Sequence, residues 1–204
     1  MSRIIFSLVF FSLLFPLTSF SENIPTDAED IKPLGTGVAL PDAQLRTADG
    51  KDTSLKSLAQ GKKTVLVFYR GGWCPYCNTY LGELQELQSE IMNKGYQILA
   101  LSPDRPEKVS KSIKDQNASY TLLSDSKMNA AKALGVAFRL DDATVKTYKS
   151  QYSIDLEADS GEKHHLLPVP SAFVIDAYGQ VTFAHSNPDY KVRISKEELL
   201  KALN

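Results

Sequence analysis

The chain has 204 residues, 43% of them hydrophobic and 23% charged, with a formal net charge of -1. That length suits one domain with one sizeable core, and the composition is that of a soluble globular protein. The near-neutral balance, with no Lys/Arg cluster of the kind that tracks a phosphate backbone, excludes nucleic acid as an expected partner.

The first segment, MSRIIFSLVFFSLLFPLTSFSEN, has one cation at Arg3, an apolar run of 14 residues from Ile4 to Leu17, and small residues at Ser19 and Ser21. This layout predicts a signal peptide over residues 1–21. Spanning a bilayer takes about 20 predominantly apolar residues, so the run is short for a permanent membrane helix. The expectation is a secreted or periplasmic protein with no stable membrane association after cleavage. Removing residues 1–21 leaves 22 basic against 24 acidic residues, a net charge of -2.

Residues 22–40 are polar, with Pro25 and Pro33, and read as an irregular lead-in to a domain over 41–204. Asp49-Gly50 between two short segments predicts a small N-terminal hairpin. After the helix-like SLKSLAQG, the run TVLVFYR (64–70) is β-branched and aromatic with no charge before Arg70, as expected of a strand buried on both faces. A Gly-Gly break follows. From Pro75 to Lys94 the apolar residues Tyr80, Leu81, Leu84, Leu87 and Ile91 keep the spacing of one helix face, with Pro75 suited to the first helical position and Gly95 ending it.

The alternation continues with a strand at YQILALSPD, a helix at PEKVSKSIKDQ, a strand at YTLLSD and a helix at KMNAAKAL. Residues 139–168 break this rhythm and read as an insertion, a surface excursion with a polar helix-like piece around DDATVKTYKSQY. SAFVIDAYGQVTFAH predicts a hairpin, and SKEELLKAL a short final helix capped by Ser195 with Glu198 three residues on. Strands alternating with helices argue an α/β domain with a sheet of about five strands covered by helices.

Both cysteines lie in VFYRGGWCPYCNTYL, three positions apart. Placed at the start of a helix, backbone N–H groups and the positive end of the dipole stabilise a thiolate. The spacing lets one cysteine attack a substrate and the other resolve the mixed species as a disulfide. Cys77 continues the apolar helix face, while Cys74 is expected at an exposed N-cap. Arg70, at the strand end, is a candidate cation for the sulfurs, against the alternative of a solvated strand-end arginine; Trp73 is expected to cap the site. A zinc site needs four ligands, and His164, His165 and His185 lack the spacing to complete one, so no metal and no cofactor is expected. A C-x-x-C that follows a buried strand and opens a helix points to a thioredoxin-like redox site.

On these residues the chain resembles the thioredoxin superfamily, and within it the peroxiredoxin-like members of the alkyl hydroperoxide reductase and thiol-specific antioxidant type. The resemblance runs from about Leu40 to the C-terminus. LRTADGKDTSL before KKTVLVFYR looks like the lead-in of bacterioferritin-comigratory-type peroxiredoxins, and SAFVIDAYGQV looks like their penultimate hairpin. It implies a thioredoxin-like three-layer fold and reduction of peroxides by a cysteine thiolate through a sulfenic acid.

The signature F-Y-P-x-x-x-T-x-x-C, laid on FYRGGWCPYC, puts the peroxidatic cysteine at Cys77, with Arg70 in place of its proline and Cys74 in place of its threonine. The family arginine before the late strand falls at Pro170, leaving Arg70 or Arg193 to substitute in space. C-P-Y-C, with Pro75 and Tyr76 between the cysteines, also looks like a glutaredoxin site. A proline before a strand facing the pair is the thioredoxin arrangement, which implies a cis Val169-Pro170 bond and attack by Cys74. The expected function is an exported antioxidant oxidoreductase that takes a peroxide, cycles through a Cys74–Cys77 disulfide and is re-reduced by a thioredoxin-like protein dithiol. The alternatives are a protein thiol-disulfide oxidoreductase and a non-enzymatic thioredoxin-fold binding module.

Overall fold

The structure, a computed structural model, describes residues 24–204. The signal peptide expected over residues 1–21 lies outside the described residues. In chain order the elements are β1 (Gln44–Thr47), β2 (Asp52–Ser54), α1 (Leu55–Ala59), β3 (Lys63–Phe68), α2 (Pro75–Asn93), β4 (Tyr96–Ser102), α3 (Pro106–Asp115) and β5 (Thr121–Ser124). There follow α4 (Asn129–Ala133), β6 (Ala137–Arg139), α5 (Asp142–Tyr152), α6 (Leu156–Ser160), β7 (Leu166–Pro168), β8 (Ser171–Ile175), β9 (Val181–Ser186) and α7 (Lys196–Ala202).

The central sheet has the order β2-β1-β5-β4-β3-β8-β9. It is mixed: β3 pairs parallel with β4 and β4 with β5, while β8 and β9 run antiparallel on the other side. Seven strands rather than about five make the sheet, because the N-terminal hairpin does not stand alone. Arg46 and Thr47 of β1 pair with Ser124 and Leu123 of β5 and extend the edge.

β3 is central, and the alternation of its side chains divides the core into two layers. Leu66 and Phe68 pack with Leu99, Leu101, Leu123, Phe173 and Ile175 on one face. Val65 and Val67 join Ile98, Ala100, Val174 and the helical residues Leu81, Leu84, Ile91 and Leu199 on the other. α2 is thus fixed through the face its periodicity marks. Complete burial of Leu81, Leu84 and Ile91 favours docking by about 1.5–3 kcal/mol each.

The 139–168 stretch is more ordered than its sequence suggests: it holds α5 and α6 and ends in β7, which pairs with β6 in a separate two-stranded sheet. Asp141 and Asp155 cap the two helices by accepting from Thr144 N–H and Ala158 N–H. The weak apolar period explains why the sequence marks only a helix-like piece here, since α5 buries none of its residues. At the C-terminus, Ser195 and Glu198 form the expected capping box of α7.

Candidate active site

Six residues separate the end of β3 from α2, and their backbone has to turn sharply while approaching α3 and the loop after β4. Gly71 has φ +144, and a Cβ there would lie on the Trp73 indole nitrogen and 2.9 Å from Asp104 Oδ1. A Cβ on Gly72 would overlap the Ser112 hydroxyl. The Gly-Gly break therefore answers a need for φ > 0 at the first glycine and for close approach at the second. Asp104 Oδ2 accepts from Gly72 N–H at 2.7 Å, and Asn78 Nδ2 donates to Gly72 O at 2.9 Å, pinning the loop from both sides. Burial pushes the Asp104 carboxyl up to about 7, against the pull of the Gly72 N–H.

This loop delivers Cys74 to the N-cap of α2, with Pro75 as first helical residue. The cap is the sulfur itself: Cys74 Sγ accepts from the Cys77 backbone N–H at 3.4 Å. The expected exposed N-cap is not found. Cys74 is 1% and Cys77 0% exposed, because Cys74 joins the same apolar layer as Tyr69, Tyr80 and Leu81. Both are free thiols.

Two arginines belong to the site, one bonded to a sulfur and one packed among the aromatic rings around it. Arg193, in the connection between β9 and α7, donates from Nη2 to Cys77 Sγ at 3.3 Å and lies over the Tyr80 ring at 5.8 Å. Its Nη1 donates to the carbonyls of Tyr190 and Val192, which folds the connection back on itself. Arg70 is not a solvated strand-end residue: it is 4% exposed, with its guanidinium carbon 4.3 Å from the Tyr190 ring centre and 5.1 Å from that of Trp73. Neither arginine takes part in an ion pair among the described residues.

The electrostatics differ between the two thiols. The Cys77 side chain hydrogen-bonding to Cys74, then the Cys77 N–H and the charges of Arg70 and Arg193, outweigh burial and hold the Cys74 thiol below its ordinary value. Burial, followed by the Cys74 sulfur, pushes the Cys77 thiol well above its own, with Arg193 pulling the other way. The two environments push the thiols in opposite directions, favouring the thiolate at Cys74 over that at Cys77.

The remaining sequence-predicted residues divide. Trp73 is half-buried and packs edge-on against Tyr148, 6.0 Å between ring centres, as an aromatic wall beside Arg70. Tyr76 is exposed and meets Tyr190 edge-on at 5.8 Å. Pro170 is buried between β7 and β8, and its carbonyl accepts from Asn187 N–H at 3.2 Å, at the start of the connection that carries Tyr190 and Arg193. The cis Val169-Pro170 bond does not occur, since no peptide bond among the described residues is cis. The bond is trans, and Val169 N–H is bonded to Val136 O.

Sequence reading marked Arg193 only as a conditional substitute for the family arginine. Tyr148 and Asp104 carried no signal, because their relation to the loop depends on long-range packing.

A buried strand, a glycine turn and a helix whose first turn holds two thiols under two arginines define a thiol-redox site on a thioredoxin-like sheet. The sequence model of the AhpC/TSA family matches residues 36–184, and the chain belongs to that family. Its relatives are peroxiredoxins. A bcp relative from Haemophilus influenzae is 33% identical over 106 residues, 52% of this chain and 68% of that protein. One from Helicobacter pylori strain J99 is 32% identical over 146 residues, 72% of this chain and 84% of that protein. Among solved structures, reduced Prx3 from Vibrio vulnificus in complex with hydrogen peroxide superposes with a TM-score of 0.68 at 24% identity, covering 84% of this chain and 99% of that one. Peroxidoxin BcpB from Mycobacterium tuberculosis gives 0.63 at 22% identity, covering 83% and 96%. These peroxiredoxin relatives indicate a thiol-dependent oxidoreductase of the peroxidase type.

Proposed function

We propose that this is an exported thiol peroxidase in which Cys74 attacks the peroxide and Cys77 resolves the product. The observation that carries the reading is the Cys74 sulfur at the N-cap of α2, under the charges of Arg70 and Arg193, with Cys77 as hydrogen-bond donor. Export is inferred from the layout of residues 1–21 alone.

In the first step the Cys74 thiolate forms an S–O bond with the distal peroxide oxygen, the O–O bond breaks, and the leaving alkoxide or hydroxide takes up a proton. Cys74 becomes a sulfenic acid. In the second, the Cys77 sulfur attacks that of Cys74, the S–O bond breaks, water leaves and a disulfide forms. Arg193, bonded to Cys77 Sγ, stabilises the thiolate that this second attack requires. An external dithiol, supplied by a thioredoxin-like protein, reduces the disulfide and closes the cycle. Each turn consumes one peroxide and one dithiol and yields one alcohol or water, one further water and one disulfide.

Trp73 shields the thiolate from solvent in this scheme, Pro75 starts the helix that points its N–H groups at the sulfur, and Tyr76 with Tyr190 forms the rim. Pro170 braces the connection that brings Arg193. The same Arg193–Cys77 bond supports a second reading, in which Cys77 attacks and Cys74 resolves.

Stopped-flow oxidation of the reduced protein by hydrogen peroxide, followed through Trp73 fluorescence, tests both. The expected result is saturation at one equivalent, far faster than a free thiol, with sulfenic acid trapped on Cys74 in Cys77→Ser. Sulfenic acid forming fast on Cys77 in Cys74→Ser, and not on Cys74 in the other variant, transfers the role of nucleophile. Oxidation no faster than that of a free thiol, alongside rapid exchange with a disulfide substrate, removes the peroxidase assignment.

A further inference from the structure

Helix α5 lies in the 139–168 stretch, and none of its residues is fully buried. One of its side chains reaches in. The Tyr148 hydroxyl accepts from Arg70 Nη2 at 2.5 Å, and its ring centre lies 5.7 Å from the Arg70 guanidinium carbon and 6.0 Å from the Trp73 ring. Arg70 is buried, Nε has no partner, and no carboxylate pairs with it among the described residues. The Tyr148 hydroxyl is the side-chain acceptor that fixes the guanidinium.

The choice of acceptor has a physical consequence. A carboxylate in that position would cancel the field of the cation, whereas a neutral phenol and the faces of Trp73, Tyr148 and Tyr190 hold it and leave its charge uncompensated. We propose that Tyr148 is a positioning residue, fixing the Arg70 guanidinium where its charge favours the thiolate form of Cys74. The inference rests on Cys74 as the nucleophile. The groups that lower the Cys74 thiol are Cys77 on α2, whose N–H donates to the sulfur, and the charges of Arg70 after β3 and Arg193 after β9; Asp104 faces the preceding loop and is engaged by Gly72 N–H. Of these, only Arg70 is held by Tyr148. Loss of the hydroxyl leaves a buried guanidinium N–H without its acceptor, which drives the group toward water and away from the sulfur.

The test is the rate of iodoacetamide alkylation of the reduced protein between about pH 4 and pH 9, with the labelled cysteine located by mass spectrometry. It needs no peroxide. In Tyr148→Phe, which keeps the ring and its stacking, the Cys74 profile is expected to move to higher pH. At acid pH the rate falls about threefold to tenfold, a shift of about half a unit to one unit, with an unchanged alkaline plateau. Arg70→Met should lower the acid rate at least as far, and adding Tyr148→Phe to Arg70→Met should change nothing more, because the tyrosine acts through the arginine. Coincident wild-type and Tyr148→Phe profiles with the label on Cys74, or a further loss in the double variant, overturn this inference alone. Label on Cys77 at acid pH in the wild type refutes the assignment of the nucleophile and the inference together.

Discussion

Arg193→Met separates the two chemical steps, because the arginine touches one sulfur and acts on the other only through space. Its Nη2 lies 3.3 Å from Cys77 Sγ. A unit charge at that distance from a thiolate gives about 5 kcal/mol at an effective dielectric of about 20, an upper bound for a half-exposed arginine. The net value of a charge-assisted hydrogen bond, about 1.5–3 kcal/mol, is the better guide and corresponds to about 10-fold to 150-fold in rate. Closure of the disulfide should slow by that factor, since it needs a charged Cys77. The attack on peroxide should slow less, because Arg193 ranks behind Cys77 and Arg70 among the groups that lower the Cys74 thiol. The assay is double-jump stopped flow: reduced protein is oxidised with one equivalent of peroxide, then dimedone is added after varied delays, and adduct on Cys74 is counted by mass. A sulfenic acid that persists at least tenfold longer in the variant is expected. Unchanged closure, or a larger loss in the first step than in the second, refutes the division of labour between the two arginines.

Gly71→Ala combines a φ that alanine rarely adopts, about 1–3 kcal/mol, with overlap against Trp73 and Asp104, about 1–3 kcal/mol more. The urea midpoint should fall by about 1–2 M, and a variant as stable as the wild type would show that the loop has room to relax. Asp104 gives a pH-dependent signature. With its carboxyl raised to about 7 in the fold against 3.8 unfolded, the folded state keeps a proton that the unfolded state has lost. Stability from this group is therefore full below about pH 4 and falls as pH rises toward 7. Asp104→Asn, whose amide oxygen still accepts from Gly72 N–H, should gain on the wild type by up to about 1.4 kcal/mol per pH unit across that window. Urea titrations of both proteins at about pH 4.5 and pH 7 check it; a stability difference that does not move with pH contradicts the buried carboxyl assigned here.

Local signals made α2, β3, the late hairpin and the capped final helix readable, because each combines a periodic apolar face with its own punctuation. Pro75 and Gly95 bound α2, and Ser195 with Glu198 starts α7. The sheet edge was less readable, since pairing β1 with β5 joins segments about 80 residues apart and leaves no trace in either. The cysteine pair and its helix were legible for the same local reason. Its burial was not, because the pair joins an apolar layer with Tyr69, Tyr80 and Leu81 and meets Arg193 from the connection after β9, more than a hundred residues away. The polar helix α5 with one inward tyrosine has no periodic signature, so in sequence the 139–168 stretch reads as a surface excursion while supplying the acceptor for Arg70.

The departures from the family signature become intelligible in space. Where that signature has a proline, this chain has Arg70, a buried cation packed on the rings of Trp73 and Tyr190 whose charge lowers the Cys74 thiol. Where it has a threonine, this chain has Cys74, so the two thiols sit at the N-cap and in the first turn of α2, neighbours without any unwinding of the helix. Where it has an arginine before the late strand, this chain has Pro170, and the cation returns from the following connection as Arg193. A disulfide closing so short a loop removes little freedom from the unfolded chain and so adds little to the stability of the oxidised state.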